Sequence, residues 1–417
     1  MDYVIIGNGP AGVIAAETLR KADPAGSITL IGAEAEATPY SRMAIPYLVA
    51  GNIPLEGTYL RKDGEHYHRL GIELLQGRVA AVDAAAKSLR LEDGRQLSYD
   101  KLLIATGSSP AQPPIPGMDL PNVHACWTLE DARRIIASVK PGTRVLQMGA
   151  GFVSCIVIDP LRKRGAQLTI IGSGDRMVPR MMTPGASKLI QKWVERNGVK
   201  VYNNLRVNSL QAGPNGAIIA VLSSGEQVET DLVINATGVK ANIGFLASSG
   251  IATEYGVLVD ETLRSSQPDI YAAGDVAQAK DIATGGQTVN AIQPNAVDQG
   301  RIAALNMAGK PVTFQGGIAM NVLDVGGLVS ASFGRWWGAD GGEHVELMDE
   351  DGWRYLRLEF KDDVMVGATA VGLTQHVGVL RGLIQAQVAL GEWKQHLLRD
   401  PTRIMEAYLA KAQAAAM

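Results

Sequence analysis

The sequence predicts an α/β fold of two similar modules of alternating strands and helices, followed by an α+β region. Two observations lead to this prediction. An apolar strand runs directly into a glycine-rich turn twice, at residues 2–12 and 143–154. In both modules a later apolar strand ends in the same tripeptide, Ala-Thr-Gly, at Ala105–Gly107 and Ala236–Gly238. This internal repetition of one strand, turn and helix plan is typical of parallel-sheet modules.

Length and composition indicate a globular chain with several cores. The 417 residues suffice for two or three domains, 46% of them are hydrophobic, and the mean hydropathy is +0.05. A net charge of -3 without a basic cluster argues against a nucleic-acid partner. No apolar run reaches the roughly 18 residues of a membrane span, and the first strand leaves no room for a signal peptide. We therefore expect a cytoplasmic protein.

The first module opens with the fingerprint of a dinucleotide site. Gly7 permits a tight turn, Gly9 permits close approach of a pyrophosphate, and Gly12 permits the helix to pack on the strand. Glu34 follows a second apolar strand, about 20 residues beyond the glycines, where an acid accepts from a ribose hydroxyl. The alternative is an ordinary βαβ unit with a glycine-rich turn, which the repetition of the fingerprint argues against.

The rest of the first module connects this unit to a domain boundary. Arg42 lies just beyond the unit, where its guanidinium could meet a pyrophosphate, although the segment also fits a surface connection. A polar helix is expected around Arg61–Leu70, and short strands between residues 72 and 98. Four prolines between Ser108 and Gly117 mark the boundary.

The second fingerprint is altered. Gly149 and Gly151 are present, but Ser154 occupies the third glycine position and should loosen the helix against the strand. Pro160 should kink or shorten that helix. Gly172 stands where an NAD site usually offers an acid. The motif for nucleotide binding is therefore less complete here than in the first module.

Later segments add a carboxylate and a further region. The strand in Pro268–Asp275 delivers Asp275 to its carboxyl end, where parallel sheets bind ligands. A helix over Ala296–Met307 follows, and its N-terminal peptide dipoles stabilise negative charge. We expect an antiparallel meander over Lys200–Val228. Residues 313–417 read as an α+β domain with three strands and two helices.

Together these motifs resemble the two-dinucleotide-fold flavoproteins of the pyridine nucleotide-disulfide oxidoreductase superfamily, which includes ferredoxin and rubredoxin reductases, NADH oxidases and the nitrite reductase flavin module. The resemblance covers nearly the whole chain. It implies two Rossmann-like domains, with FAD on 1–112 and 240–312 and NAD(P)H on an inserted domain, 113–239. Residues 313–417 would form a C-terminal α+β interface domain.

The resemblance also implies cofactor-binding residues. Asp275 would accept from a ribityl hydroxyl, and the helix after Pro294 would point toward the flavin pyrimidine edge. The full implied set is Gly7, Gly9, Pro10, Ala11, Gly12, Glu34, Arg42, Val79, Ala105, Thr106, Gly107, Gly149, Gly151, Gly238, Gly274, Asp275, Pro294 and Asn295.

Three departures from the family limit the transfer of its chemistry. Met43 stands where one branch keeps a single reactive cysteine, and the chain has no cysteine before Cys126, so no disulfide mechanism is expected. The only other cysteine, Cys155, lies among neutral residues where many relatives carry a glutamate near the nicotinamide, and the nearest acid is Asp159.

Two functions remain open from the sequence. One is an FAD-dependent NAD(P)H oxidoreductase that passes electrons without a protein thiol to an acceptor such as a ferredoxin-like redox protein. The other is a flavin-bearing electron-transfer subunit that no longer uses a nicotinamide. The protein would be a homodimer or a subunit of a complex. No metal is expected, because His66 and His68 form the only close histidine pair and lack acid or cysteine companions.

Overall fold

The structure is a computed structural model that describes residues 1–36 and 38–416. The strands, in chain order, are β1 (Asp2–Ile6), β2 (Ser27–Gly32), β3 (Ile72–Gln76), β4 (Val79–Asp83), β5 (Ser88–Leu91), β6 (Gln96–Ser98), β7 (Lys101–Ile104), β8 (Ser108–Pro110), β9 (Val123–His124), β10 (Arg144–Met148), β11 (Gln167–Ile171), β12 (Lys200–Tyr202), β13 (Val207–Ala212), β14 (Ile218–Leu222), β15 (Gln227–Thr230), β16 (Leu232–Asn235), β17 (Val239–Ala241), β18 (Val257–Leu258), β19 (Ile270–Ala272), β20 (Ala277–Lys280), β21 (Gln287–Thr288), β22 (Met320–Val325), β23 (Leu328–Gly334), β24 (Glu343–Asp349), β25 (Arg354–Lys361) and β26 (Val364–Val371).

The α-helices, in chain order, are α1 (Pro10–Ala22), α2 (Ile45–Val49), α3 (His66–Arg69), α4 (Leu129–Ser138), α5 (Phe152–Lys163), α6 (Pro184–Arg196), α7 (Gln293–Met307), α8 (Val377–Gln385), α9 (Glu392–Arg399) and α10 (Ile404–Ala416). The chain divides into two compact units, each assembled from separate stretches of sequence. Unit 1 comprises Met1–Leu48, Ile53–Ser109 and Val239–Gly317, and unit 2 comprises Val49–Asn52, Pro110–Gly238 and Ile318–Met417.

Unit 1 is built on a parallel sheet with strand order β19-β7-β1-β2-β3. The central strand β1 pairs with β2 on one side and β7 on the other. The strand order therefore reverses at β1, which is where open α/β sheets bind ligands. Its residues Val4, Ile5 and Ile6 are buried in a core completed by apolar residues of α1 and α7. Buried strands of this kind read as continuous apolar runs, which is why the sequence located them well.

The first half of unit 2 repeats this plan. Its parallel sheet has the order β12-β11-β10-β16-β9, with β10 in the position of β1. Helix α4 begins with a capping box, in which Thr128 and Asp131 bond reciprocally. The predicted meander was wrong at its start, since Lys200–Tyr202 pairs in parallel with β11. The crossover through α6 brings β12 back parallel to β11. The antiparallel sheet of this module consists of β13, β14 and β15.

The C-terminal part of unit 2 is richer in structure than the sequence predicted. A five-stranded antiparallel sheet runs in the order β22-β23-β26-β25-β24, with α8, α9 and α10 nearby in sequence. The predictions missed β22, β23 and α9. Within unit 2 this part contacts the second module, since Trp193 Nε1 donates to Val325 O at 2.8 Å. The three-domain division of the chain stays a prediction.

One predicted helix was too long, and another was not shortened by its proline. The helix expected around residues 61–70 is limited to α3, because the Asp63 carboxylate accepts from the Glu65 N–H in a local turn that competes with helix formation. Helix α5 continues through Pro160 to Lys163. Pro160 and Leu161 are buried, so apolar packing offsets the backbone hydrogen bond that proline removes.

Candidate functional site

The first glycine turn joins β1 to α1 and has the shape of a phosphate cradle. Gly7 has a φ of 113°, and a Cβ placed on it would lie 2.1 Å from the Ala105 carbonyl oxygen. A Cβ on Gly12 would lie 1.9 Å from Gly7 O. In contrast, a Cβ on Gly9 would meet nothing within 4 Å. Gly7 and Gly12 are thus required by the fold, whereas Gly9 leaves open space at the N-terminus of α1.

Helix α1 starts without a side-chain cap. Gly9 is its N-cap residue and makes no side-chain hydrogen bond, and Pro10 occupies the first turn. The first peptide N–H groups of a helix have no partner within the helix, so an anion in the space above Gly9 could accept from them. Ala11 is buried, and Gly274 packs against it, since a Cβ on Gly274 would lie 3.2 Å from Ala11 Cβ.

The Ala-Thr-Gly turn after β7 is held beside this cradle by a residue that the sequence analysis missed. Asn242 Nδ2 donates to Thr106 O at 2.8 Å, and Thr106 Oγ1 donates to Asn242 O at 2.9 Å. The Asn242 N–H also donates to Gly107 O at 2.9 Å. Ala105 donates its N–H to Ile6 O at 2.8 Å, which places the turn at the same sheet edge as the cradle.

Asp275 follows β19 at this edge. Ser108 Oγ donates to Asp275 Oδ2 at 2.9 Å, an interaction that the sequence analysis did not anticipate. Burial raises the pKa of the Asp275 carboxyl above its usual value, while the Ser108 hydrogen bond and the charge of Arg42 lower it. A hydroxyl donor such as a ribityl group would stabilise a carboxyl that is poorly solvated in the protein.

Glu34 lies just beyond the carboxyl end of β2, at the same sheet edge. Arg42 donates a guanidinium N–H to Glu34 Oε1 at 2.7 Å, and the Tyr40 hydroxyl donates to Oε2. Arg42 therefore contacts the predicted ribose ligand, and its proximity to the pyrophosphate stays a prediction. Tyr40 was absent from the predicted set, because no sequence motif relates a tyrosine at this position to Glu34.

Helix α7 approaches the cradle closely. A Cβ on Gly300 would lie 2.3 Å from Ala11 O, and Gln299 Oε1 accepts from the Gly274 N–H at 2.8 Å. Pro294 lies in the first turn of α7, and the buried Asn295 donates from Nδ2 to Asn290 O at 3.3 Å.

Val79 is a further residue of the predicted set. It begins β4, in the antiparallel sheet of unit 1, and its side chain is buried in the unit 1 core.

The second glycine turn has the geometry of the first. Gly149 has a φ of 106°, and a Cβ on it would lie 2.3 Å from Ala236 O, which opens the second Ala-Thr-Gly tripeptide. A Cβ on Gly151 would meet nothing within 4 Å, as at Gly9. Gly238 ends the tripeptide, and a Cβ there also meets open space. The alanine carbonyl of each tripeptide thus packs on the first fingerprint glycine of its module, which explains why both modules need glycine at that position.

Ser154, at the third glycine position of the second turn, is hydrogen-bonded to the preceding strand. Its side chain is fully buried, and its hydroxyl donates to Gln147 Oε1 at 2.5 Å across from helix to strand. Gln147 of β10 thus provides a hydrogen-bond acceptor for the buried hydroxyl that Ser154 brings in place of the third glycine. This hydrogen bond joins α5 to β10 at the altered position of the fingerprint.

Gly172 itself carries no side chain at the position of the acid, and the atoms nearest to it are neutral. A Cβ on Gly172 would lie 2.9 Å from Ala150 Cβ and 3.5 Å from Asn203 Oδ1. Arg176, four residues on, pairs with Asp175 at 2.8 Å. Asp159 is also engaged, since its carboxylate accepts from the Gly326 N–H.

Both cysteines are free and buried, and burial raises the pKa of each thiol to about 12. At pH 7 they are neutral and unreactive.

Among the described residues, no group of three or more His, Cys, Asp or Glu side chains could hold a metal ion. His66 belongs to an ion-pair cluster instead: the Glu17 carboxylate pairs with Arg61, and its Oε1 lies 2.9 Å from His66 Nε2. Within residues 1–36 and 38–416, no helix is long and apolar enough to cross a membrane.

Comparison with known proteins identifies the family to which these two cradles belong. The pyridine nucleotide-disulphide oxidoreductase family matches residues 1–300. The chain belongs to this family. It is an FAD-dependent NAD(P)H oxidoreductase that passes electrons from the nicotinamide through the flavin to a downstream acceptor, as predicted. The predicted fold with two Rossmann-like domains is likewise confirmed.

Relatives cover almost all of the chain. It is 32% identical over 405 residues to the NADH-dependent phenylglyoxylate dehydrogenase subunit epsilon of Aromatoleum evansii, covering 96% of both chains. It is 30% identical over 390 residues to the biphenyl dioxygenase system ferredoxin–NAD(+) reductase component of Paraburkholderia xenovorans (strain LB400), covering 93% of both. The solved ferredoxin reductase for the CYP199A2 system from Rhodopseudomonas palustris has a TM-score of 0.83 at 26% identity, with 90% of this chain and 92% of that chain covered.

The residues of unit 1 fit FAD on steric grounds. The open space at Gly9 leaves room for the pyrophosphate, and the carboxylates of Glu34 and Asp275 lie at the same sheet edge. The second turn fits a nicotinamide nucleotide for the same reason at Gly151. The individual roles of the predicted site residues stay predictions.

Proposed function

We propose that this oxidoreductase delivers electrons to a small redox protein and does so without a protein thiol. The observation that carries the proposal is the pair of matching cradles at Gly9 and Gly151, combined with two buried cysteines whose thiols are neutral. Relatives support the class of acceptor, since one is a ferredoxin–NAD(+) reductase component and another is a rubredoxin–NAD(+) reductase.

In this proposal the protein groups of the site bind and orient the cofactors. The flavin, when bound, supplies the chemistry by taking a hydride from the nicotinamide and handing electrons on. The N-terminus of α1 would bind its pyrophosphate, Glu34 its adenosine ribose and Asp275 a ribityl hydroxyl. The N-terminus of α7 would stabilise negative charge at the pyrimidine edge. The turn at Gly151 would bind the pyrophosphate of the nicotinamide nucleotide.

A second candidate for the acceptor is another subunit of a complex. The relative from Aromatoleum evansii is a subunit of a dehydrogenase, and the alignment covers 96% of both chains. That relative is NADH-dependent, so this candidate keeps the nicotinamide. We further propose that the protein works in the cytoplasm, where two free thiols persist in the reduced state.

Anaerobic mixing tests the proposal. The purified protein is expected to carry one FAD per chain, and NADH or NADPH should bleach the flavin absorbance. A [2Fe–2S] ferredoxin and a rubredoxin are then added separately, and the return of flavin absorbance is followed together with reduction of the acceptor. Absence of bleaching by both nucleotides contradicts the nicotinamide role. Bleaching without electron transfer to either acceptor contradicts the small-protein acceptor and favours a dedicated subunit.

A further inference from the structure

Two short segments of unit 1, residues 39–41 and 58–60, form an antiparallel pair that we call the strap. Two backbone hydrogen bonds of 2.9 Å join the segments, one of them from Ser41 N–H to Thr58 O. Tyr40 and Tyr59 lie opposite each other in this pair. The strap follows the predicted ribose ligand Glu34 in sequence.

Tyr40 connects the strap to that carboxylate. Its side chain is 8% exposed, and its hydroxyl donates to Glu34 Oε2. Arg42 donates to the other oxygen, Oε1, at 2.7 Å. An ionised carboxylate has about four lone-pair positions, so two donors leave acceptor capacity for further hydroxyl groups. The carboxylate of Glu34 is thus held in one orientation and still able to accept.

The strap is anchored on its other side as well. Ser41 Oγ donates to Gln293 Oε1, at the first residue of α7, over 2.6 Å. Consecutive side chains of an extended segment point to opposite faces, which lets Tyr40 and Ser41 reach different elements. Anchors on two sides fix the backbone at residue 40, and with it the position of the Tyr40 hydroxyl.

We propose that Tyr40 is a positioning residue for the adenosine end of FAD, acting by orienting the Glu34 carboxylate toward a ribose hydroxyl. The inference rests on the proposed role of Glu34. A glutamate side chain that is free to rotate loses rotamer entropy when it binds a ligand. Tyr40 removes that loss in advance, because the carboxylate is already held in place before the ribose arrives.

The test uses exchange of bound FAD for FMN, which lacks the adenosine half. Holoprotein is incubated with excess FMN, and bound FAD and FMN are quantified after equilibration to give an exchange constant. Tyr40→Phe keeps the ring and removes the donor, so it should shift this constant toward FMN by about tenfold. Tyr59→Phe is the matched control. It removes a hydroxyl that lies 3.5 Å from Glu36, on the same strap, and should leave the constant unchanged.

A double-mutant cycle identifies the route of the effect. In a Glu34→Ala background, Tyr40→Phe should change the exchange constant by less than about twofold, because the group it orients is gone. An unchanged constant for Tyr40→Phe, or equal weakening of FAD and FMN, overturns the inference while FAD binding by the parent protein stands. A parent protein that binds no flavin refutes the proposed function itself, and the inference with it.

Discussion

The substitution Gly151→Ala should separate nicotinamide binding from flavin binding. Gly151 has φ and ψ of -89° and -164°, which alanine adopts readily, and its Cβ would meet nothing within 4 Å, so folding should be unaffected. The methyl group would instead occupy space that a pyrophosphate needs. Overpacking of this kind costs about 1–3 kcal/mol, which corresponds to roughly five- to 150-fold weaker NADH binding.

Anaerobic stopped-flow reduction measures this effect. The NADH concentration that gives half-maximal bleaching should rise by that factor, with flavin content unchanged and full reduction by dithionite retained. Gly9→Ala is the matched variant and should lower FAD content instead, because the same methyl group enters the first cradle. Gly149→Ala is the steric control and should destabilise the fold, since its Cβ would lie 2.3 Å from Ala236 O. Unchanged NADH affinity in Gly151→Ala, or loss of FAD, would refute the assignment of the second turn.

Three further predictions concern the cofactors and the thiols. Asp275→Ala should lose much of the bound FAD, measured as the flavin-to-protein absorbance ratio, and full occupancy would contradict its role as the ribityl acceptor. Cys126→Ser with Cys155→Ser should keep turnover within about tenfold, or 1.4 kcal/mol of barrier, because neither thiol ionises at pH 7. NADH and NADPH should give kcat/KM values within about tenfold of each other, since Gly172 offers no carboxylate to repel a 2′-phosphate. Gly172→Glu combined with Ala150→Gly, which relieves the 2.9 Å Cβ contact, should then favour NADH, whereas a strong native preference would contradict this reading.

The C-terminal part shows where prediction from the sequence was weakest. Strands β22 and β23 were missed, although β22 forms one edge of the antiparallel sheet and β23 pairs between β22 and β26. Strand β23 contains Ser330 and Ser332, which are fully buried, so this strand lacks the apolar alternation on which recognition depends. Burial of these polar residues is a consequence of what packs on the sheet, and short-range sequence patterns carry no information on that.

The parallel cores and both glycine turns could be predicted from the sequence because their causes are local. A buried parallel strand must be continuously apolar, and a chain that turns tightly under a carbonyl must use glycine, as at Gly7 and Gly149. The tertiary structure decided which polar groups meet. Ser108 meets Asp275 across 167 positions of sequence, because both follow strands of the unit 1 sheet. Tyr40 meets Glu34, and Ser154 meets Gln147, because the chain folds back within the connection between the two residues of each pair. Such contacts depend on distances in space, which spacing along the chain does not determine.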